Sequence, residues 1–343
     1  MESSIRAYLL SPRYDGFLVL CPVLLGAVAC ALSSVSEPFF YSVLALNLWF
    51  LGYHHVISTY TRMAFSVKDL KNHWFYVFVL PILVTAATIT MFRWGGEWTI
   101  GTLYLYWQLY HYARQSEGIF KAMGSRYARE PCVGLRRVYF YAPVLSAFFS
   151  LSYLSHSTFL GLPIKVLNMP SELAALGTLL FLLISIIGVL DVALKGVNKG
   201  FTEFEFFYIS HVFMFLSAYV LINRLDIGWM AINVWHNLQY ITFVWLYNHK
   251  RYKGGVDKNA RLLSTLAQKK NIILYFIVCL LITYVFYKYF VTKVFSAAIS
   301  SWLIDGVGYI VVPYMIINFH HYIVHSQIWK LRSPKLRSRL GIS

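Results

Sequence analysis

The sequence predicts an all-α protein, a polytopic transmembrane helical bundle of about 10 spans with N- and C-termini cytoplasmic. Three observations carry this. Of 343 residues, 58% are hydrophobic and only 13% charged, with a mean hydropathy of +0.58, against the roughly 25% charge of soluble domains. Ten apolar runs approach the roughly 20 residues that cross a bilayer as helix. The basic residues fall in alternate loops: with the N-terminus inside, 25 Lys and Arg lie on the cytoplasmic side and five (Arg93, Lys165, Arg224, Lys288 and Lys293) outside, as the positive-inside rule expects. Adding or removing one span spoils that alternation.

The first run, Phe17–Val35, starts after Asp15 and lacks a small-residue cleavage site before the next span, so it reads as a retained helix and not a signal peptide. Phe39–Tyr60 carries the pair His54–His55 toward its inner end, and Trp74–Phe92 follows. Trp98–Arg114 is short and polar in its second half, with His111 near its inner end. Val138–Leu160 and Leu173–Leu194 are strongly apolar. Phe206–Ile222 has His211 early, and Ile227–Tyr247 has His236 near mid-depth. Asn271–Val291 precedes Ser300–Ile323, whose inner part brings His320, His321 and His325. The two longest loops, 115–137 and 248–270, are too short for a soluble domain, so residues 1–343 form a single integral membrane domain and function sits inside the bundle or at its cytoplasmic face.

Composition excludes several chemistries. Six Asp and eight Glu leave no acid cluster for an aspartate-rich diphosphate site or a carboxylate-bridged di-iron bundle. P-loop, GxSxG, HExxH and GxGxxG motifs are absent. Cys21, Cys30, Cys132 and Cys279 have no CxxC spacing, so neither a disulfide nor a zinc ribbon is expected. The net charge of +16 is read against the membrane and not as a nucleic-acid footprint.

Eleven histidines are many for so apolar a chain, and ten fall in the inner half or at the midplane. One histidine inside a span ordinarily serves as a helix–helix hydrogen-bond partner. Convergence of several at one depth points instead to metal, because neutral imidazoles bind a divalent ion without burying negative charge in lipid. The metal candidates are His54, His55, His111, His236, His321 and His325, with His211 and His320 in a second tier. His321 and His325, at i and i+4, share a helical face. His54 and His55, about 100° apart, cannot both face one ion, and which of them does is open. Gln115, Gln239 and Tyr240 are placed to orient ligating rings. No catalytic residue is singled out.

The segments YHHVISTYTR (53–62), YWQLYHYARQ (106–115), WHNLQY (235–240) and FHHYIVH (319–325) resemble those of uncharacterised multi-histidine bacterial integral membrane proteins. More distantly they are similar to Brp/Blh-type carotenoid-cleaving membrane dioxygenases, and in histidine richness to membrane lipid desaturases and hydroxylases, whose HxxHH boxes this chain lacks. The resemblance implies one non-haem iron held by histidines of several helices. His321 and His325 match a pair one turn apart, with His54 or His55 and His111 as companions.

The expected activity is that of an iron-dependent oxygenase or desaturase-like enzyme in the bacterial inner membrane. Mononuclear iron is favoured over dinuclear, and the substrate is a hydrophobic lipid, isoprenoid, carotenoid or acyl chain, near the cytoplasmic leaflet. Membrane lipid and an electron donor are the candidate partners. The alternatives are a bis-histidine haem electron-transfer protein and a metal or small-molecule transporter. A transport path would continue to the outer leaflet, where the histidines nearly vanish.

Overall fold

The computed structural model describes residues 8–129, 133–300, 308–330 and 333–340 and is helical throughout, apart from one two-stranded hairpin. Helix α1 (Pro12–Val35) begins where the Ser11 hydroxyl accepts the Tyr14 N–H, with Pro12 in the first turn. Ser36 caps α2 (Glu37–Asn47) in the same way; α2 runs through a π-helical turn, Leu48–Gly52, into α3 (Tyr53–Met63). A π-turn carries one residue more than an α-turn, so it re-aims the side chains that follow. Those are His54 and His55.

A short α4 (Val67–Asn72) precedes a second π-turn, Phe75–Val79, and α5 (Leu80–Gly95). Helix α6 (Glu97–Arg126) runs 12 residues past the apolar segment that the sequence delimits, with the Glu117 carboxylate joined to Arg114 and Lys121 along its surface. Helix α7 (Leu135–Tyr153) stops short of Leu160, because the backbone turns left-handed at Ser155, φ 49°, and the chain goes on to form the antiparallel hairpin β1 (Thr158–Phe159) and β2 (Leu162–Pro163), which turns at Gly161, φ 76°.

Helix α8 (Ser171–Lys199) is followed by α9 (Glu203–Leu216), which opens with a capping box between Thr202 and Glu205 and ends in a π-turn, Ser217–Leu221. Next come α10 (Leu225–Arg251), α11 (Arg261–Leu266) and α12 (Ile272–Val285). A long π-helical stretch, Phe286–Phe295, leads on to α13 (Ser296–Ser300). Helices α14 (Gly308–Ile328) and α15 (Pro334–Leu340) close the chain. The first part of the predicted run Ser300–Ile323, with Asp305, lies outside the described residues, as does Cys132.

Among the described residues, five helical segments are long and apolar enough to cross a membrane: Pro12–Val35, Phe75–Gly95, Ser171–Lys199, Glu203–Leu221 and Lys269–Ala298. The surface of α8 shows the inversion that lipid requires: Leu176, Leu179, Leu183, Ile187, Leu190 and Leu194 recur at helical spacing and are exposed, while the small Gly177, Ser185 and Gly188 face inward. Apolar exposure on this scale marks a surface covered by something other than water.

Helix α10 is the axis of the bundle, buried almost from end to end and packed by α1, α3, α6, α9 and α15. Close approach depends on small residues. A Cβ on Gly26 of α1 would come within 2.7 Å of the Ala231 carbonyl, and one on Gly228 would collide with that of Ala218.

Much of the basic surface gathers at one end. There Arg251 pairs with Asp69 at 2.6 Å, Arg129 with Glu205 at 2.8 Å, the Lys250 ammonium donates to the Leu340 carbonyl, and Tyr127 reaches both Asp15 and Glu203. At the other end Asp226 accepts the Leu160 N–H, and Thr102 that of Lys165.

Candidate metal centre

Five imidazoles meet inside the bundle: His55 from α3, His111 from α6, His236 from α10, and His321 and His325 from α14. All are buried, none more than 4% exposed. Ring nitrogens of His55, His111 and His236 lie within 4.8 Å of one another. An ion shared at about 2.1 Å holds its ligand nitrogens roughly 3–4 Å apart, so side-chain adjustment of about 1 Å closes the set. His55 Nε2 lies 2.8 Å from His321 Nε2, and the His325 ring centroid is 4.7 Å from that of His111. The cavity bordered by His55, His111, His236 and His321 has a volume of about 30 Å³, and among the described residues no carboxylate lines it.

The unmet hydrogen-bonding capacity is concentrated here. His111 Nε2, His236 Nδ1, His325 Nε2, His55 Nδ1, Gln115 Oε1 and both amide atoms of Gln239 are buried without a partner. Buried polar atoms in folded proteins are nearly always satisfied, and a group of orphans calls for an ion or water. The buried triple-histidine group could hold a metal ion, and the donor set, all imidazole nitrogen, suits a first-row transition metal.

The rings are held in place by their neighbours. Tyr240 stacks on His55 at 4.1 Å, Tyr322 on His111 at 4.3 Å, and Tyr112 leans on His236 at 4.1 Å. Thr59, one turn after His55, hydrogen-bonds His321 Nδ1 at 3.2 Å and the Tyr240 hydroxyl at 2.8 Å, and that hydroxyl also accepts the Trp329 indole N–H at 3.0 Å. Tyr240 therefore gives its own proton to Thr59. Thr59, bonded weakly to the His55 carbonyl at 3.4 Å as well, can then accept the Nδ1–H of His321. That tautomer leaves the His321 Nε2 lone pair facing the cluster, as ligation requires.

Below His236 an amide network fixes α10: Asn47 and Asn237 both donate to Asn233 Oδ1, at 2.8 and 2.7 Å, and Asn233 donates to the Tyr112 hydroxyl. Gln115 donates to the His236 carbonyl at 2.8 Å, so it steadies the helix and not the ring.

Three histidines of the sequence-derived set stand apart. His54 turns away, with Nδ1 3.3 Å from the Phe50 carbonyl and its ring edge-on to Phe276 of α12; of the adjacent pair, only His55 faces the cluster. His211 has both ring nitrogens engaged, by Ser116 and by the Phe140 carbonyl, each at 2.9 Å. His320 is likewise held by the Tyr60 hydroxyl at 3.2 Å and the Tyr76 carbonyl at 2.7 Å. A ring with both nitrogens committed has no lone pair left for an ion. Gln239 lies buried with neither amide atom hydrogen-bonded and does not orient a ring, and Tyr240 acts by stacking and through Thr59.

Sequence reasoning passed over Thr59 and Trp329. Thr59 carried a signal, being four residues after His55 and so on its face. The Trp329 contact depends on how the end of α14 meets α10, for which there is no local mark.

No family model matches the chain, and neither a curated protein nor a solved structure is similar to it.

Proposed function

We propose that this protein is an integral membrane oxidoreductase of ten spans, its basic end and both termini cytoplasmic, with a mononuclear non-haem iron centre at His55, His111, His236, His321 and His325. Its reaction is of the oxygenase or desaturase type on a hydrophobic lipid, an isoprenoid, a carotenoid or an acyl chain. The observation that carries this reading is the convergence of five buried imidazoles from four helices, four of which, His55, His111, His236 and His325, keep a buried ring nitrogen without a partner.

Bound iron with open coordination positions supplies oxygen activation. The chain's own residues do the rest. Neutral imidazoles leave a divalent ion's charge unbalanced, which favours anionic ligands at the open positions. Thr59 and Tyr240 fix the protonation of His321, and the surrounding tyrosines exclude bulk water. A cavity of about 30 Å³ supports a bare ion over haem, since it has no room for a porphyrin. The lack of a lining carboxylate supports one iron over a carboxylate-bridged pair.

Metal analysis and an absorption spectrum of the detergent-purified protein, compared with the H321A/H325A variant, test the centre. Stoichiometric iron without a Soret band, lost in the variant, is the expected result; wild-type protein that stays metal-free after iron reconstitution overturns it. Lipid profiles of cells with and without the protein then test the reaction class.

A further inference from the structure

A second cavity adjoins the histidine centre, on the side away from the basic end. Its volume is about 440 Å³, within the range of small-molecule sites, and Leu44, Trp49, Leu160, Val291, Val311 and Met315 make up much of its wall. Among the described residues, no charged side chain lines it. Its two aliphatic hydroxyls are already committed: Thr292 donates to the Tyr287 carbonyl at 2.8 Å and Ser296 to that of Val291 at 2.9 Å. Both bonds arise from the π-helical stretch, so this wall offers a ligand little but hydrocarbon.

The chamber and the histidine cavity share a boundary. Leu48, Tyr53, Tyr104, Tyr287 and Tyr314 line both. Tyr53 stacks face to face on Tyr287, with centroids 3.9 Å apart and planes 13° from parallel, and the buried Tyr287 hydroxyl has no partner. A layer of phenols thus separates an apolar chamber from a polar centre.

We infer that the chamber holds the unbranched or isoprenoid hydrocarbon chain of the substrate, and that the reacting part is the segment that crosses the tyrosine layer toward the histidines. This rests on the reading of the centre given above. A charged headgroup finds no counter-charge among the described residues of the chamber, so it stays outside. An apolar chain gains roughly 0.8 kcal/mol for each methylene withdrawn from water, although in a bilayer the lipid competes for the same chain. Selection then comes from the shape of the chamber and from the free phenol at its inner wall.

The test uses the full-length protein in lipid nanodiscs and a long-chain fatty alcohol with a terminal diazirine. Photolysis is expected to label peptides spanning 44–53, 287–296 and 311–315, saturably against unlabelled alcohol. M315W and, separately, V291W fill the chamber and reduce that labelling severalfold while metal content stays at the wild-type level, which also reports that each variant has folded. Labelling confined to the lipid-facing surfaces of α8 and α12, or unchanged in both folded variants, overturns the inference. Saturable chamber labelling of a protein that binds no metal would overturn the reading of the centre and leave the chamber assignment standing; metal without chamber labelling does the reverse.

Discussion

His55 Nε2 and His321 Nε2 face each other at 2.8 Å across the interface of α3 and α14, inside a cluster where other imidazole nitrogens have no partner. Two lone pairs cannot oppose each other at that distance without a proton or a cation between them. A single proton satisfies one contact but leaves His111, His236 and His325 as they are. An ion satisfies several at once, and two cis ligands at about 2.1 Å from a metal lie close to 3 Å apart. Replacing either His55 or His321 with Ala is therefore expected to remove most of the bound metal. Mass-spectrometric metal analysis checks this, and a variant that keeps wild-type metal content excludes that ring as a ligand.

Thr59 is expected to act on the metal only through His321. T59V removes the hydroxyl that holds Nδ1, and loss of such an orienting partner typically costs 10–100-fold in metal affinity. T59S keeps the hydroxyl and should stay near wild type. Competition with a chelator of known affinity measures both; equal affinity in T59V and wild type would show that the 3.2 Å contact does not set the tautomer.

His54, His211 and His320 should separate from the cluster in experiment as they do in space. H211L leaves the Ser116 hydroxyl and the Phe140 carbonyl without their ring partner, and an unmet buried group costs about 1–3 kcal/mol. A lowered thermal midpoint with unchanged metal stoichiometry is the expected pair of results. H54A, which gives up only a weak contact to the Phe50 carbonyl, should retain metal as well. Metal loss in either stably folded variant would contradict these assignments.

The helical architecture was legible because lipid demands long apolar runs, and each such run here is helical over most of its described length. The ends were less so. The continuation of α6 to Arg126 depends on ion pairs that hydropathy does not register, and the end of α7 at Tyr153 depends on the left-handed turn at Ser155. At the site, the i and i+4 spacing placed His321 and His325 on one face without reference to any other helix. Choosing His55 over His54 required the π-turn at Leu48–Gly52, whose extra residue changes the direction of everything after it. His211 and His320 look identical to ligands in a sequence, since the carbonyls of Phe140 and Tyr76 that occupy them belong to other helices.

The ion pair between Asp69 and Arg251 ties α4 to the end of α10, and so anchors the basic end against the helix that carries His236. Its atoms are 2.6 Å apart and both side chains are nearly buried, at 6% and 9% exposure. Asp69 also accepts the Ser66 hydroxyl at 2.6 Å, while its backbone N–H donates to Ser66 Oγ at 3.1 Å, so the carboxylate is fixed before Arg251 arrives. D69N leaves a guanidinium without its counter-charge, and breaking a buried pair from one side costs about 3–5 kcal/mol. Adding R251M removes the stranded charge and should recover a substantial part of that loss, because two apolar or neutral partners are cheaper to bury than one unpaired ion. Thermal midpoints of the two single variants and the double variant in the same detergent give the coupling. Purely additive losses would mean that solvent or headgroups screen the pair, and that the basic end is held by its other contacts.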